Sequence, residues 1–316
     1  MIRIGSRGSA LARWQAEHIA GRLRERGEDV SIEVLVTTGD RVQTAPFLQV
    51  GAKGMFTKEI EEALADKRID LAIHSLKDLP TVLDPMFVLA AIPERADARD
   101  AFVSIHHDNF HAMPHGAIVG TSSLRRQALL KYLRPDLDVR ELRGNVDTRL
   151  RKLHEDQYDA IVLAAAGLDR LQQTRWVQER FSAEQMCPAP GQGALAIECR
   201  AEDARTRALA AALNHISTYF AVTAERAGLA ALEGGCQVPI GVYCRTIGDS
   251  WRMSGVVARP DGSQTIAQQM DFKGGEADLA VAERAGRSIA ERLVQHGAGR
   301  LLSAMQISSP AENSSA

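Results

Sequence analysis

Ile4-Gly5-Ser6-Arg7-Gly8-Ser9 carries a strand straight into a helix, and Val119-Gly120-Thr121-Ser122-Ser123-Leu124-Arg125 repeats the move further along the chain. The first strand is expected at 2–5. The helix after it places Ala12, Ala16, Ile19 and Leu23 on one face. Working outward, further strands are expected at 31–36, 71–73 and 87–92, with a helix at 56–66. Alternating strands and helices of this kind predict an α/β fold of parallel sheets covered by helices. Asp70-Leu71-Ala72-Ile73 and Asp159-Ala160-Ile161-Val162 open late strands in the same way and extend the echo. Two like lobes with a cleft between them follow from it.

Near Pro93 the texture changes. Glu94-Arg95-Ala96-Asp97-Ala98-Arg99-Asp100 is charged and lacks large apolar side chains, so it reads as a crossover between lobes. Strands are then expected at 102–105, 118–120, 139–142 and 160–163. Pro188-Ala189-Pro190-Gly191-Gln192-Gly193 reads as a hinge or return crossover. Antiparallel strands at 241–245, 252–258 and 264–270, and a long amphipathic helix at 278–295, predict a third, smaller α+β domain. The division expected is 1–93 with 194–214 for the first lobe, 99–188 for the second, 218–307 for the third domain, and a disordered polar tail at 308–316.

The chain has 316 residues, 45% of them hydrophobic, which is more than one ordinary domain requires. Its net charge is −2, so no chain-wide attraction to nucleic acid or anionic membrane is expected. Aromatic residues make up 5% and none clusters beside the basic loops, so stacking platforms for RNA are missing. The cysteines, Cys187, Cys199, Cys236 and Cys244, form no Cys-x-x-Cys pair, and no metal site is expected. The N-terminus has no apolar signal core and no stretch is long enough to span a bilayer, which fits a cytoplasmic enzyme.

Three groups of residues could carry chemistry. In Ile73-His74-Ser75-Leu76-Lys77-Asp78-Leu79-Pro80 a buried strand ends in a polar turn, the position where open α/β sheets bind ligands. Asp78 would face the cleft with Lys77 and His74 close by, the ordinary alternative being a solvated loop. Arginines gather at helix starts: Arg7 near Ser9, Arg125 and Arg126 after Ser123, Arg143 before Gly144, and Arg149 after Thr148. Such termini favour anions, and guanidinium adds a fixed fork for carboxylate or phosphate. No Gly-x-x-x-x-Gly-Lys-Ser/Thr occurs, so nucleoside triphosphate is disfavoured. Finally, Glu233-Gly234-Gly235-Cys236-Gln237-Val238-Pro239 presents a thiol between glycine and glutamine, where a bulky group can approach the sulfur. A buried free cysteine is the ordinary alternative. Thiol, carboxylate and arginine-lined cleft belong together if the ligand carries many carboxylates.

These runs, with Ser6-Arg7-Gly8-Ser9-Ala10-Leu11-Ala12, Lys53-Gly54-Met55-Phe56, Leu142-Arg143-Gly144-Asn145-Val146-Asp147-Thr148-Arg149-Leu150 and Pro190-Gly191-Gln192-Gly193, lie in one order across nearly the whole chain. In that order they resemble the porphobilinogen deaminase (hydroxymethylbilane synthase) family. The resemblance implies two lobes like type II periplasmic binding proteins plus a small C-terminal domain. It implies a dipyrromethane cofactor joined by a thioether to Cys236, on which four porphobilinogen molecules are added head to tail with loss of ammonia before a linear bilane is released. It implies Asp78 as the catalytic carboxylate. Lys77, Ser75, Ser123, Arg125, Arg126, Arg143 and Gly144 are then expected at the cofactor. Arg7, Ser9, Lys53, Phe56, His74, Thr121, Arg149, Arg170 and Gln192 are expected at the substrate. The family is usually monomeric. Arg13 and Gln49 depart from its pattern, and 106–115 reads as a variable surface loop. The competing readings are a non-catalytic two-lobed binding protein for a polycarboxylate and a cysteine hydrolase using His215.

Overall fold

The computed structural model describes residues 1–37, 57–232 and 238–307, the side chains of 306 and 307 excepted. Gln49, Lys53, Phe56, Cys236 and the expected tail at 308–316 lie outside the described residues. The first lobe runs β1 (Ile2–Arg7), α1 (Ala10–Arg24), β2 (Val30–Leu35), α2 (Lys58–Ala65), β3 (Leu71–Ser75), a single 3-10 turn (Leu76–Asp78) and β4 (Phe87–Ala91). The second runs β5 (Asp100–Val103), β6 (Ile118–Gly120), α3 (Leu124–Leu133), β7 (Asp138–Arg140), α4 (Val146–His154), β8 (Ala160–Ala164), α5 (Ala165–Arg170) and β9 (Val177–Arg180). The chain then returns to the first lobe with β10 (Leu195–Arg200) and α6 (Ala204–Ala211). The last domain holds α7 (Ile216–Ala231), an antiparallel meander of β11 (Ile240–Ile247), β12 (Ser250–Ala258) and β13 (Thr265–Phe272), then α8 (Leu279–Gln295) and α9 (Ala298–Ile307).

The two lobes share one sheet plan. The first is ordered β2-β1-β3-β10-β4 and the second β7-β6-β8-β5-β9. Both sheets are mixed rather than wholly parallel: β10 runs antiparallel to β3 and β4, and β5 antiparallel to β8 and β9. The reason is the double crossover. A strand that enters a lobe from the seam, where the parallel strands end, must run against them. β9 and β10 carry no periodicity that marked them as strands. The echo persists atom by atom. Asp70 donates its N–H to the Arg3 carbonyl and accepts from the Arg3 N–H at 2.9 Å; Asp159 does the same with Ile118, accepting at 2.7 Å.

Each sheet is packed on both faces. In the first lobe Ile19 and Leu23 of α1 cover Ile4, Leu71 and Ile197, while Ile60 and Leu64 of α2 lie over Ala72. In the second, the segment 106–115 is not a mere surface loop. Phe110 is fully buried, with ring centroids 6.0 Å from Phe102 and 5.2 Å from Phe181. The third domain packs α7 and α8 on the meander through Phe220, Trp251, Ile289 and Leu293. No described helix is long and apolar enough to cross a membrane.

The crossovers lie side by side: the Ala96 N–H donates to the Gly193 carbonyl at 3.1 Å. Gly193 has φ +85°, and a Cβ there would stand 2.6 Å from the Ala96 oxygen, so only glycine fits. Glu225 of α7 locks both crossovers to the third domain. Fully buried, it accepts from Arg95 Nη1 at 2.6 Å and Nη2 at 3.1 Å, from Gly191 N at 2.7 Å and from Cys244 N at 2.9 Å. Glu225→Ala would strand the Arg95 cation and two N–H groups, and is expected to cost about 3–5 kcal/mol in urea denaturation. A loss below about 1 kcal/mol would show that the clamp is not structural.

Candidate functional site

The carboxyl ends of β1, β3, β6 and β8 meet at the seam between the lobes. On the first lobe, the turn after β3 is anchored by its apolar ends. Leu76 and Leu79 are buried, packed with Val222 of α7, and the Leu76 N–H donates to Ala194 O at 3.0 Å. Between those anchors Lys77 is half-buried and Asp78 exposed. Ser75 Oγ accepts from Gln15 Nε2 of α1 at 2.9 Å. His74 points away into the core, 3.0 Å from the buried Glu198 carboxylate of β10. Arg7 is half-buried at the end of β1, and Ser9 caps α1 by accepting from Ala12 N at 3.3 Å.

On the second lobe Thr121 is buried, and Ser123 caps α3. Arg143 sits 2.7 Å from Glu141. Arg149 donates through Nε to the Gly144 carbonyl at 2.8 Å and through Nη2 to Ser122 Oγ at 3.3 Å. Gly144 has φ +112° and Thr148 fills the space a Cβ would need, which leaves its carbonyl turned to Arg149. Arg170 of α5 reaches across to the Gly193 carbonyl at 2.7 Å.

Arg125 and Arg126 are placed differently from their neighbours. Both are buried around Asp100, itself fully buried at the start of β5. Arg126 Nε donates to Asp100 Oδ1 at 2.9 Å and its Nη1 to Val162 O at 3.0 Å. Arg125 Nη1 donates to Cys187 O at 2.7 Å, and its Nη2 lies 2.7 Å from Asp100 Oδ2, an ion contact off the hydrogen-bond line. Gln192 completes the cluster, donating from Nε2 to Asp100 Oδ1 at 2.9 Å. Burial pushes the Asp100 carboxyl up, but Arg125 and Arg126 outweigh it and hold the group below its usual range. Asp100, Gln15, Glu198 and Glu225 were not singled out in the sequence. The charged run 94–100 was the available signal for Asp100, and it reads equally as a solvated linker.

Cations exceed acids at the seam. Burial and the Arg126 and Arg125 charges push the Lys77 amine down to about 8, against Asp78 and Asp100. Burial and Arg126 push Arg149 down to about 10, with Asp78 opposing from the other lobe. Arg170 is likewise pushed down to about 10 by burial, against Asp169. Among the described residues none of these three pairs with a carboxylate. Arg125 Nε is a buried donor without an acceptor. This set suits a ligand bearing several carboxylates.

The segment 233–237 lies outside the described residues, and described residues some way to either side of it contact the lobes and the crossover. On one side, Arg226 of α7 donates to Pro80 O at 2.7 Å, and α7 ends about 7.5 Å further on at 1.5 Å per residue. On the other, Val242 N donates to Pro188 O at 3.1 Å, next to the Cys187 carbonyl that holds Arg125. The remaining cysteines are buried, and burial pushes Cys187 up to about 12 and Cys199 to about 11.

The family model for the porphobilinogen deaminase dipyrromethane cofactor-binding domain matches residues 2–208, and that for the porphobilinogen deaminase C-terminal domain matches 219–295. A porphobilinogen deaminase of Syntrophotalea carbinolica is 47% identical over 308 residues, 97% of this chain and 96% of that protein. One of Nitratidesulfovibrio vulgaris is 48% identical over 313 residues, 98% of each. Among solved structures, a periplasmic substrate-binding protein of an ABC transporter from Coxiella burnetii aligns with TM-score 0.43 at 15% identity, covering 67% of this chain and 92% of that one. A Burkholderia cenocepacia nutrient-binding protein bound to methionine aligns with TM-score 0.41 at 14% identity, covering 66% and 90%.

Proposed function

The chain belongs to the porphobilinogen deaminase family, and from that premise we propose that Asp78 is its catalytic carboxylate and that Lys77, Arg149 and Arg170 receive the acidic side chains of substrate and growing product. The enzyme is a transferase of tetrapyrrole biosynthesis that joins porphobilinogen molecules head to tail on a covalently bound dipyrromethane. When bound, the dipyrromethane supplies the acceptor ring for the first addition. The residues fit such a group: its acetate and propionate arms match the surplus of seam cations and the unaccepted Arg125 Nε. Cys236 is the proposed attachment point, since burial keeps the thiols of Cys187, Cys199 and Cys244 protonated.

Asp78 acts on charge. As porphobilinogen loses ammonia, positive charge develops over its pyrrole nitrogen. A fixed carboxylate beside that nitrogen stabilises the charge and can accept the N–H proton's hydrogen bond. Lys77 and Arg149 flank it, so that a ring's acidic arms and its nitrogen are gripped together. Arg7, Ser9, Arg143 and Gly144 extend the same rim, and the family resemblance adds Lys53 and Phe56 as substrate contacts. Arg125, Arg126, Gln192, Thr121, Ser123, His74 and Ser75 serve mainly by holding the rim in place, with Asp100, Glu198 and Gln15 as their partners. The observation that carries the reading is the electrostatic coupling across the seam. Asp78 of the first lobe lies within electrostatic reach of Arg149 of the second, and no carboxylate pairs with Arg149 among the described residues.

The proposal extends to a cytoplasmic monomer, and to the lack of a nucleic-acid partner, the last supported by the net charge of −2. The binding-protein alternative is not favoured, because the family match continues through the C-terminal domain. Arg149→Ala tests the reading. Loss of one charge-assisted carboxylate contact is expected to slow ring addition about 10- to 100-fold. Short adducts would then accumulate in intact-mass time courses after porphobilinogen is added. A ladder of adducts indistinguishable from the parent chain would count against the role.

A further inference from the structure

Arg170 is held in an unusual way for a half-buried cation. Its neighbour Asp169 is spent on Arg180 Nη2 at 2.5 Å, and no other carboxylate pairs with Arg170 among the described residues. Its edge donates to the Gly193 carbonyl, and its guanidinium carbon lies 5.7 Å from the centre of the Trp14 ring on α1 of the other lobe. The lobes touch at this point: a Cβ on Gly167 of α5 would stand 3.7 Å from Leu11 Cδ2. The indole is itself fixed by His18, one turn on, whose ring stacks at 5.0 Å and 5°. Burial, Arg22 and Arg170 lower the His18 pKa, so that ring adds no like charge at neutral pH.

We propose that Trp14 is a positioning residue for Arg170, bracing the guanidinium from the opposite lobe so that it meets an incoming substrate carboxylate already oriented. The inference rests on the reading of Arg170 as a substrate contact. Its logic is chemical. A carboxylate brace would neutralise the guanidinium and compete with the substrate for the same N–H groups. An aromatic face attracts the cation through its quadrupole and leaves those groups unspent. The Gly193 carbonyl takes one N–H at the edge, and the ring fixes the plane. Because ring and guanidinium sit on different lobes, the brace exists only when the lobes are in contact at Leu11 and Gly167.

The test is a double-mutant cycle in the full chain with porphobilinogen as substrate. Trp14→Leu is expected to raise KM roughly tenfold with kcat changed less than about twofold. Trp14→Phe keeps an aromatic face and is expected to recover most of that loss, a rescue that a role in packing alone would not show equally. In the Arg170→Ala background Trp14→Leu should add nothing further. If leucine prevents folding, Trp14→Phe supplies the same cycle, with about a threefold rise that vanishes when Arg170 is absent. An effect of Trp14→Leu that adds in full to that of Arg170→Ala, or no effect beside a damaged Arg170→Ala, overturns the brace and leaves the substrate contact standing. An unaltered KM in Arg170→Ala overturns both.

Discussion

Asp78→Asn is expected to lower turnover by about a thousandfold or more while the chain keeps its fold. The two halves of that expectation have separate causes. Asp78 is exposed on a turn whose structure is set by Leu76 and Leu79, and no described group uses its carboxylate as a structural acceptor. Its removal should therefore change denaturation free energy by less than about 0.5 kcal/mol. Asparagine keeps the shape but not the charge. A preorganised charge aimed at a developing cation contributes about 10²–10³-fold, and proton handling by the same group adds to it. A further signature follows from the neighbours. Asp78 raises the pKa of both Lys77 and Arg149. Without it, Lys77 should lose its proton below about 8, and any residual activity that needs the ammonium should decline at lower pH than in the parent chain. Near-normal turnover, or a residual pH profile unmoved on its basic side, would remove Asp78 from the reaction.

How much of this was written locally decides how much could be read from the sequence. The strand-to-helix starts were legible because each is complete within a few residues: Ser9, Ser123 and Asn145 cap the helix that follows them. The Asp78 turn was legible for the same reason. Asp100 was not. Its partners Arg126 and Gln192 lie 26 and 92 positions away, and a buried carboxylate in a charged run has no local mark. It holds two arginines that the resemblance implied beside the cofactor, whose forks bond largely to Asp100 and to main-chain carbonyls. The direction of β10 was hidden likewise, because Leu195 pairs with Ser75 only after the chain has visited the other lobe. Phe110 shows the opposite failure. A single aromatic in a polar segment reads as surface until Phe102 and Phe181 are brought round it.

Cys236→Ser should yield a chain whose intact mass is that of its own sequence, where the parent chain carries a covalent adduct, and it should form no bilane. Cys187→Ser, Cys199→Ser and Cys244→Ser, wherever they fold, should retain the adduct, because those thiols are buried and held protonated. The loss should also be visible in stability. Lys77, Arg149 and Arg170 are partly desolvated without carboxylate partners, and a group that brings carboxylates to the native state alone stabilises that state. The serine variant is therefore expected to melt below the parent chain. Adding Lys77→Met to it should raise the midpoint again, since one uncompensated cation is removed. The sign of that second change is the discriminating result. A packing defect at residue 236 would lower the midpoint too, but it would not be relieved by removing an amine from the first lobe. An adduct that persists in Cys236→Ser, or one that disappears only with Cys199, would place the thioether elsewhere and dissolve the link between the C-terminal domain and the seam.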